Sequence, residues 1–109
     1  KECLIESVRN KIWFINQNTF LLKEPKILKE DYQWIIVWDD KKRIYHYNDV
    51  IKIFYLKQNN LSKIKEILRE KEIPQSIRKN IPIIIRQQHY QILLSYIKGF
   101  WDLNVPLNH

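Results

Sequence analysis

Two kinds of hydrophobic spacing alternate along the chain. Gln33 to Trp38 is a nearly continuous run of β-branched and aromatic residues, which predicts a strand. Asp39-Asp40-Lys41-Lys42 breaks the run as a turn, and Arg43 to Tyr47 returns as the second strand of a hairpin. Val50 to Lys57 has lysines near both ends of an apolar, aromatic stretch. It reads as a third strand, with a helix as the alternative. Nearer the start, Leu4, Ile5 and Val8 fall at helical spacing with Ile12 one turn on, so residues 1–10 are expected to form an entering helix. Lys11 to Ile15 and Thr19 to Leu22 predict a hairpin around Asn16-Gln17-Asn18, closed off by Pro25.

The second half has a different rhythm. Leu61, Ile64, Ile67 and Leu68 form an apolar stripe at helical spacing, predicting an amphipathic helix from Leu61 to about Lys71 with Asn60 as its N-cap. The helix must stop before Pro74, because proline disfavours the α conformation in the residue ahead of it. Pro82 is placed to open a strand rather than interrupt one. Ile83 to Arg86 and Gln91 to Ile97 predict a hairpin around Gln87-Gln88-His89-Tyr90, and Gly99 permits a bend before Phe100-Trp101. The expected fold class is α+β: a small mixed domain with β-hairpins and one main amphipathic helix, in a single domain spanning residues 1–109.

Composition sharpens this picture. At 109 residues and 45% hydrophobic, the chain can bury a core without disulfide or metal staples. Cys3 is the single cysteine, which excludes an internal disulfide framework and makes a reducing, cytoplasmic setting the expectation. No apolar run is long enough to span a bilayer as a helix, so no membrane partner is expected. Glycine occurs once, at Gly99, so no glycine-rich loop for ATP phosphates can be written and no cofactor is expected in this domain. The chain begins at Lys1 and holds no methionine, as a piece excised from a longer protein would. The net charge of +7 fits an anionic partner, nucleic acid first, but the joint abundance of Lys, Ile and Asn is also what an A/T-biased genome produces.

The candidate chemistry is basic. Lys63, Lys65, Arg69 and Lys71 on the expected helix suit contacts to RNA phosphates; Glu66, Glu70 and Glu72 equally suit a merely solvated face. Arg78, with Lys79 beside it, lies between two prolines, where a guanidinium can grip a phosphate or lock the hinge itself. Trp34, Trp38, Tyr45, Tyr47, Phe54 and Tyr55 are expected in the core rather than as base-stacking platforms. His46, His89 and His109 are scattered without zinc-ligand spacing, and no nucleophile–base set stands out.

From about Leu61 to Asp102 the chain resembles the C-terminal domain of bacterial tRNA(Ile)-lysidine synthase. Lys63, Lys65, Ile67 and Leu68 match that family's Lys-rich helix, and Ile73-Pro74, Arg78 and Pro82-Ile83-Ile84 match the signature after it. Ile92 to Ile97 and Gly99-Phe100-Trp101 match its later strand and closing glycine segment. Gln75-Ser76-Ile77, Gln58-Asn59-Asn60 and Gln87-Gln88-His89 depart from the residues the family often carries there. The resemblance implies a parent ligase that uses ATP in its catalytic domain to attach lysine to the wobble cytidine of an isoleucine tRNA. This segment would then be its accessory tRNA-binding domain, gripping the acceptor stem with no catalytic site of its own. Its RNA-binding candidates are Lys63, Lys65, Arg69, Lys71, Arg78 and Lys79. The partners so implied are the tRNA and the catalytic domain of the same chain. The rival expectation is a non-catalytic interaction module, with the aromatic hairpin forming a homodimer surface.

Overall fold

The computed structural model describes residues 3–38, 43–58 and 61–107. Within them the chain forms nine strands in three antiparallel sheets. The first sheet is a two-stranded ribbon of β1 (Cys3–Val8) and β2 (Lys11–Asn16). The second has β4 (Gln33–Trp38) between β3 (Lys26–Glu30) and β5 (Arg43–Tyr47). The third runs in chain order through β6 (Lys52–Tyr55), β7 (Pro82–Ile85), β8 (His89–Ile92) and β9 (Leu103–Pro106). Between β6 and β7 lie α1 (Ser62–Glu70) and the single-turn α2 (Gln75–Arg78).

This overturns the α+β expectation. Strands hold 44% of the structure and helices 19%, with one helix of seven residues or more among the described residues, so the domain is sheet-rich. The entering helix expected over residues 1–10 is also corrected: residues 3–8 are β1. Leu4, Glu6 and Val8 turn inward while Cys3, Ile5 and Ser7 face out, a period of two that Leu4, Ile5 and Val8 alone did not reveal. Arg9 adopts φ 54° in a two-residue loop, and Val8 pairs with Lys11. Thr19 to Leu22 is likewise not a strand. Phe20–Leu22 is a 3-10 turn capped by Thr19, whose Oγ1 accepts a hydrogen bond from Leu21 N–H at 3.5 Å.

The second hairpin pairs as expected, with Trp34 opposite Tyr47 and Ile36 opposite Tyr45; its turn, residues 39–42, lies outside the described residues. Val50 to Lys57 resolves into β6 followed by a 3-10 turn, Leu56–Gln58. Helix α1 forms with Leu61 in the N-cap position, while the expected cap Asn60 lies outside the described residues. Pro82 opens β7. The expected strand to Ile97 stops at Ile92. Beyond it the Asp102 carboxylate accepts hydrogen bonds from Leu94 and Ser95 N–H, both at 2.8 Å, so these donors turn to a side chain instead of a neighbouring strand. Gly99 takes φ 90° just beyond that segment, a conformation glycine adopts without steric cost.

One core joins all three sheets. Ile15 comes from the ribbon, Ile36 and Trp38 from β4, Ile83 and Ile84 from β7, and Ile64 and Leu68 from α1. Trp38 stacks on Tyr96 with ring centroids 4.1 Å apart, and Tyr55 donates a hydrogen bond to the Pro25 carbonyl. Trp38, Tyr47, Phe54 and Tyr55 are buried while Trp34 and Tyr45 are half-buried, so the strand aromatics are core. No helix among the described residues is long and apolar enough to cross a membrane.

Candidate anion-binding cleft

The cleft is built on the hinge between the two helices. Helix α1 ends in a Schellman arrangement: Glu72 N–H donates to the Arg69 carbonyl at 2.9 Å and Ile73 N–H to that of Leu68 at 3.4 Å, with Glu72 at φ 60°. Pro74 blocks further α1 helix and opens α2, whose Arg78 N–H donates to the Pro74 carbonyl at 2.9 Å. Ile73, Ile77 and Ile81 recur every four residues and are fully buried, so the hinge is anchored along one apolar edge.

Two polar clamps fix it further. On the ribbon's inner face Glu6 and Trp13 sit opposite each other. The Glu6 carboxylate accepts from Ser76 Oγ at 2.6 Å and from Ser76 N–H at 3.4 Å, and Trp13 Nε1 donates to the Glu72 carbonyl at 3.0 Å. On the other side buried Asn80 donates through Nδ2 to the Leu22 carbonyl at 3.0 Å, tying the 3-10 turn to the end of α2. Nothing in the spacing of the sequence marked Glu6 or Asn80 for this work.

This frame brings together four of the six sequence-derived candidates. Lys65 and Arg69, four apart on one face of α1, meet Arg78 and Lys79 around a cleft of about 350 Å³. Lys57, from the turn after β6, joins them and was not singled out by sequence; its place beside α1 is a tertiary fact. Leu56 and Gln75 complete a lining that holds five cations and no carboxylate. Lys63 is not in the cleft. It lines a separate concavity with Tyr90 and Pro106, since residues two apart on a helix point in roughly opposite directions, at about 100° per residue. Lys71 is exposed at the C-cap, outside the cleft. Helical phase would have separated Lys63 from Lys65 and Arg69 in advance.

Arg78 is the only half-buried cation of the lining; the other four are exposed. Its Nε is buried and makes no hydrogen bond among the described residues. Burial, and next the charge of Arg69, pull the Arg78 guanidinium below its ordinary pKa, while Glu6 pulls the other way. Glu24 pairs with Lys57. A half-buried cation among like charges is unfavourable in the free protein, and an anion paired with it relieves both the desolvation and the repulsion. The arrangement suits phosphate recognition. Its lining holds no carboxylate, histidine, serine or cysteine, and no group of three or more His, Cys, Asp or Glu among the described residues is placed to hold a metal ion.

No family model matches the chain, and neither a curated protein nor a solved structure matches it. The resemblance to the lysidine synthase domain therefore rests on the sequence from Leu61 to Asp102 alone.

Proposed function

We propose that this chain is an accessory RNA-binding domain that grips the acceptor stem of a tRNA through the hinge cleft. The observation that carries the reading is the convergence of Lys57, Lys65, Arg69 and Lys79 with a half-buried Arg78 around one cleft, with no carboxylate in the lining. The Ile73-Pro74, Arg78 and Pro82 spacing supports the more specific reading of a lysidine synthase C-terminal domain. On that reading ATP and lysine are handled by a separate catalytic domain. The grip on the stem supplies binding energy and orientation for chemistry carried out elsewhere.

The test is binding of the chain to an acceptor-stem RNA duplex across about 50 to 200 mM salt, where phosphate-driven binding weakens steeply. Arg69→Ala with Lys79→Ala is expected to lower affinity at least about tenfold and to reduce the salt slope by about two, one for each phosphate no longer neutralised. Lys63→Ala with Lys71→Ala is expected to change little, because neither side chain lines the cleft. Binding that ignores salt, or that depends on Lys63 and Lys71 instead, sinks the proposal.

One observation favours a second reading, an interaction module. Ile5, Ile12 and Phe14 share the outer face of the ribbon and are 63%, 60% and 71% exposed. A solution mass twice that of one chain, indifferent to RNA, would support it.

A further inference from the structure

Resting on the RNA-binding reading, we infer that the cleft seats a terminal phosphomonoester, the 5′-phosphate of the RNA stem, rather than an internal phosphodiester. Three observations converge. The first is depth. Arg78 is half-buried while the four other lining cations are exposed, so an anion that pairs with its guanidinium reaches further into the cleft than one that meets the others. An internal diester is flanked by sugars on both sides and runs along a surface; a terminal monoester has a free end that can be inserted.

The second is charge. A diester carries a single negative charge, whereas a phosphomonoester carries about −1.5 to −2 near pH 7 and offers three strong acceptor oxygens. Even with Lys57 paired to Glu24, Lys65 left out of the count and the charge of Arg78 partly offset by Glu6, the cations Arg69, Arg78 and Lys79 outnumber what one diester group can answer. Arg69 and Arg78 repel one another across the cleft, and a dianion relieves that repulsion more than a monoanion does.

The third is rigidity. The backbone at Arg78 is fixed by its bond to the Pro74 carbonyl, by buried Ile77 before it and by the Asn80 clamp after it. Its guanidinium projects from that rigid turn with Nε unpaired among the described residues, and its planar fork suits paired hydrogen bonds to a phosphate whose oxygens are unencumbered. The volume of about 350 Å³ leaves room for the phosphate and part of its ribose.

The experiment compares two acceptor-stem hairpins of one sequence, labelled at the 3′ end, one with a 5′-monophosphate and one with a 5′-hydroxyl. The phosphorylated stem is expected to bind at least about tenfold more tightly, a difference of about 1.4 kcal/mol. Millimolar inorganic phosphate should erase that preference, while potassium chloride at equal ionic strength should not. Arg78→Lys, which keeps the charge but loses the fork, should shrink the ratio to below about threefold. Should that variant fail to fold, exposed Arg69→Gln should shrink it likewise. Equal, salt-sensitive binding of the two stems overturns the inference and leaves the RNA reading standing. A preference that survives both substitutions also overturns it, because the phosphate then sits elsewhere. If neither stem binds, both readings fall.

Discussion

The hinge and the ribbon press against each other, yet they meet water in opposite ways. In the hinge Ile73, Ile77 and Ile81 are fully buried, and Asn80, Ser76 and the Glu72 carbonyl are hydrogen-bonded, while the buried Arg78 Nε has no partner among the described residues. In the ribbon only Ile15 is fully withdrawn, while Ile5, Ile12 and Phe14 stand in solvent. The contrast bears on function. A cleft that crowds five cations needs a backbone that does not yield to their repulsion, and the isoleucine edge with its two clamps supplies one. The ribbon contributes the Glu6 and Trp13 clamp from its inner face and leaves its outer face uncommitted.

Truncation on each side breaks or upholds this contrast with the largest expected effect. Ile77→Ala removes a fully buried side chain and is expected to cost about 2–5 kcal/mol in urea-induced unfolding. Phe14→Ala, at a residue 71% exposed, is expected to stay within about 0.5 kcal/mol. Similar costs at the two positions would mean that the ribbon's outer face is covered in solution.

The same contrast explains what the sequence disclosed. Pro74 and Pro82 could be placed because proline constrains its own backbone and its predecessor's whatever the tertiary setting. Helix α1 was legible because its apolar stripe persists over two turns, and the pair β4–β5 because β-branched and aromatic residues crowd both of its strands. The ribbon was not: Leu4, Ile5 and Val8 fit the helical period, while the true alternation turns polar Glu6 inward and exposes Ile5, and pairing with β2 sets it. The end of the predicted strand at Ile97 was hidden for a different reason. Asp102, seven and eight residues downstream, takes the Ser95 and Leu94 donors. Of the cleft, Lys65, Arg69, Arg78 and Lys79 were found by residue type. Lys57 and the clamps Glu6 and Asn80 arrive through tertiary packing that no local pattern encodes.

Alkaline pH tests the part of the core that both regions share. Tyr96 is stacked on Trp38, and its hydroxyl pKa is raised above the ordinary value near 10, chiefly by burial. Tyr47 is raised as well, first by burial and then by Asp102, and Tyr55 by burial. The sign follows from proton binding. Above about pH 10 the unfolded chain has released protons that the native tyrosines keep, so stability is full below that value and falls as pH rises through it. Tyr96 alone should contribute a loss of up to about 1.4 kcal/mol per pH unit there. Unfolding midpoints across that range, read beside tyrosinate absorbance, check this. A stability that stays level while the tyrosines ionise would contradict their burial.

The smallest effect is the most local. Glu72 holds φ 60° at the end of α1, where glycine adopts the left-handed conformation without a Cβ penalty, and its carboxylate makes no hydrogen bond or ion pair among the described residues. The bond it does make, Trp13 Nε1 to its carbonyl, belongs to the backbone and survives substitution. Glu72→Gly is therefore expected to stabilise by about 0.5–1 kcal/mol, the relief of strain exceeding the entropy glycine adds to the unfolded chain. Melting should rise by roughly 2–8 °C. Arg9 holds a similar φ of 54° at the ribbon turn, so Arg9→Gly relieves comparable strain in the other region. A ribbon that loosens before the core unfolds would add little to the global midpoint, and Arg9→Gly should then gain less than Glu72→Gly. Equal gains would show that ribbon and hinge unfold as one unit, with the Glu6 and Trp13 clamp binding them more tightly than their exposure to water implies.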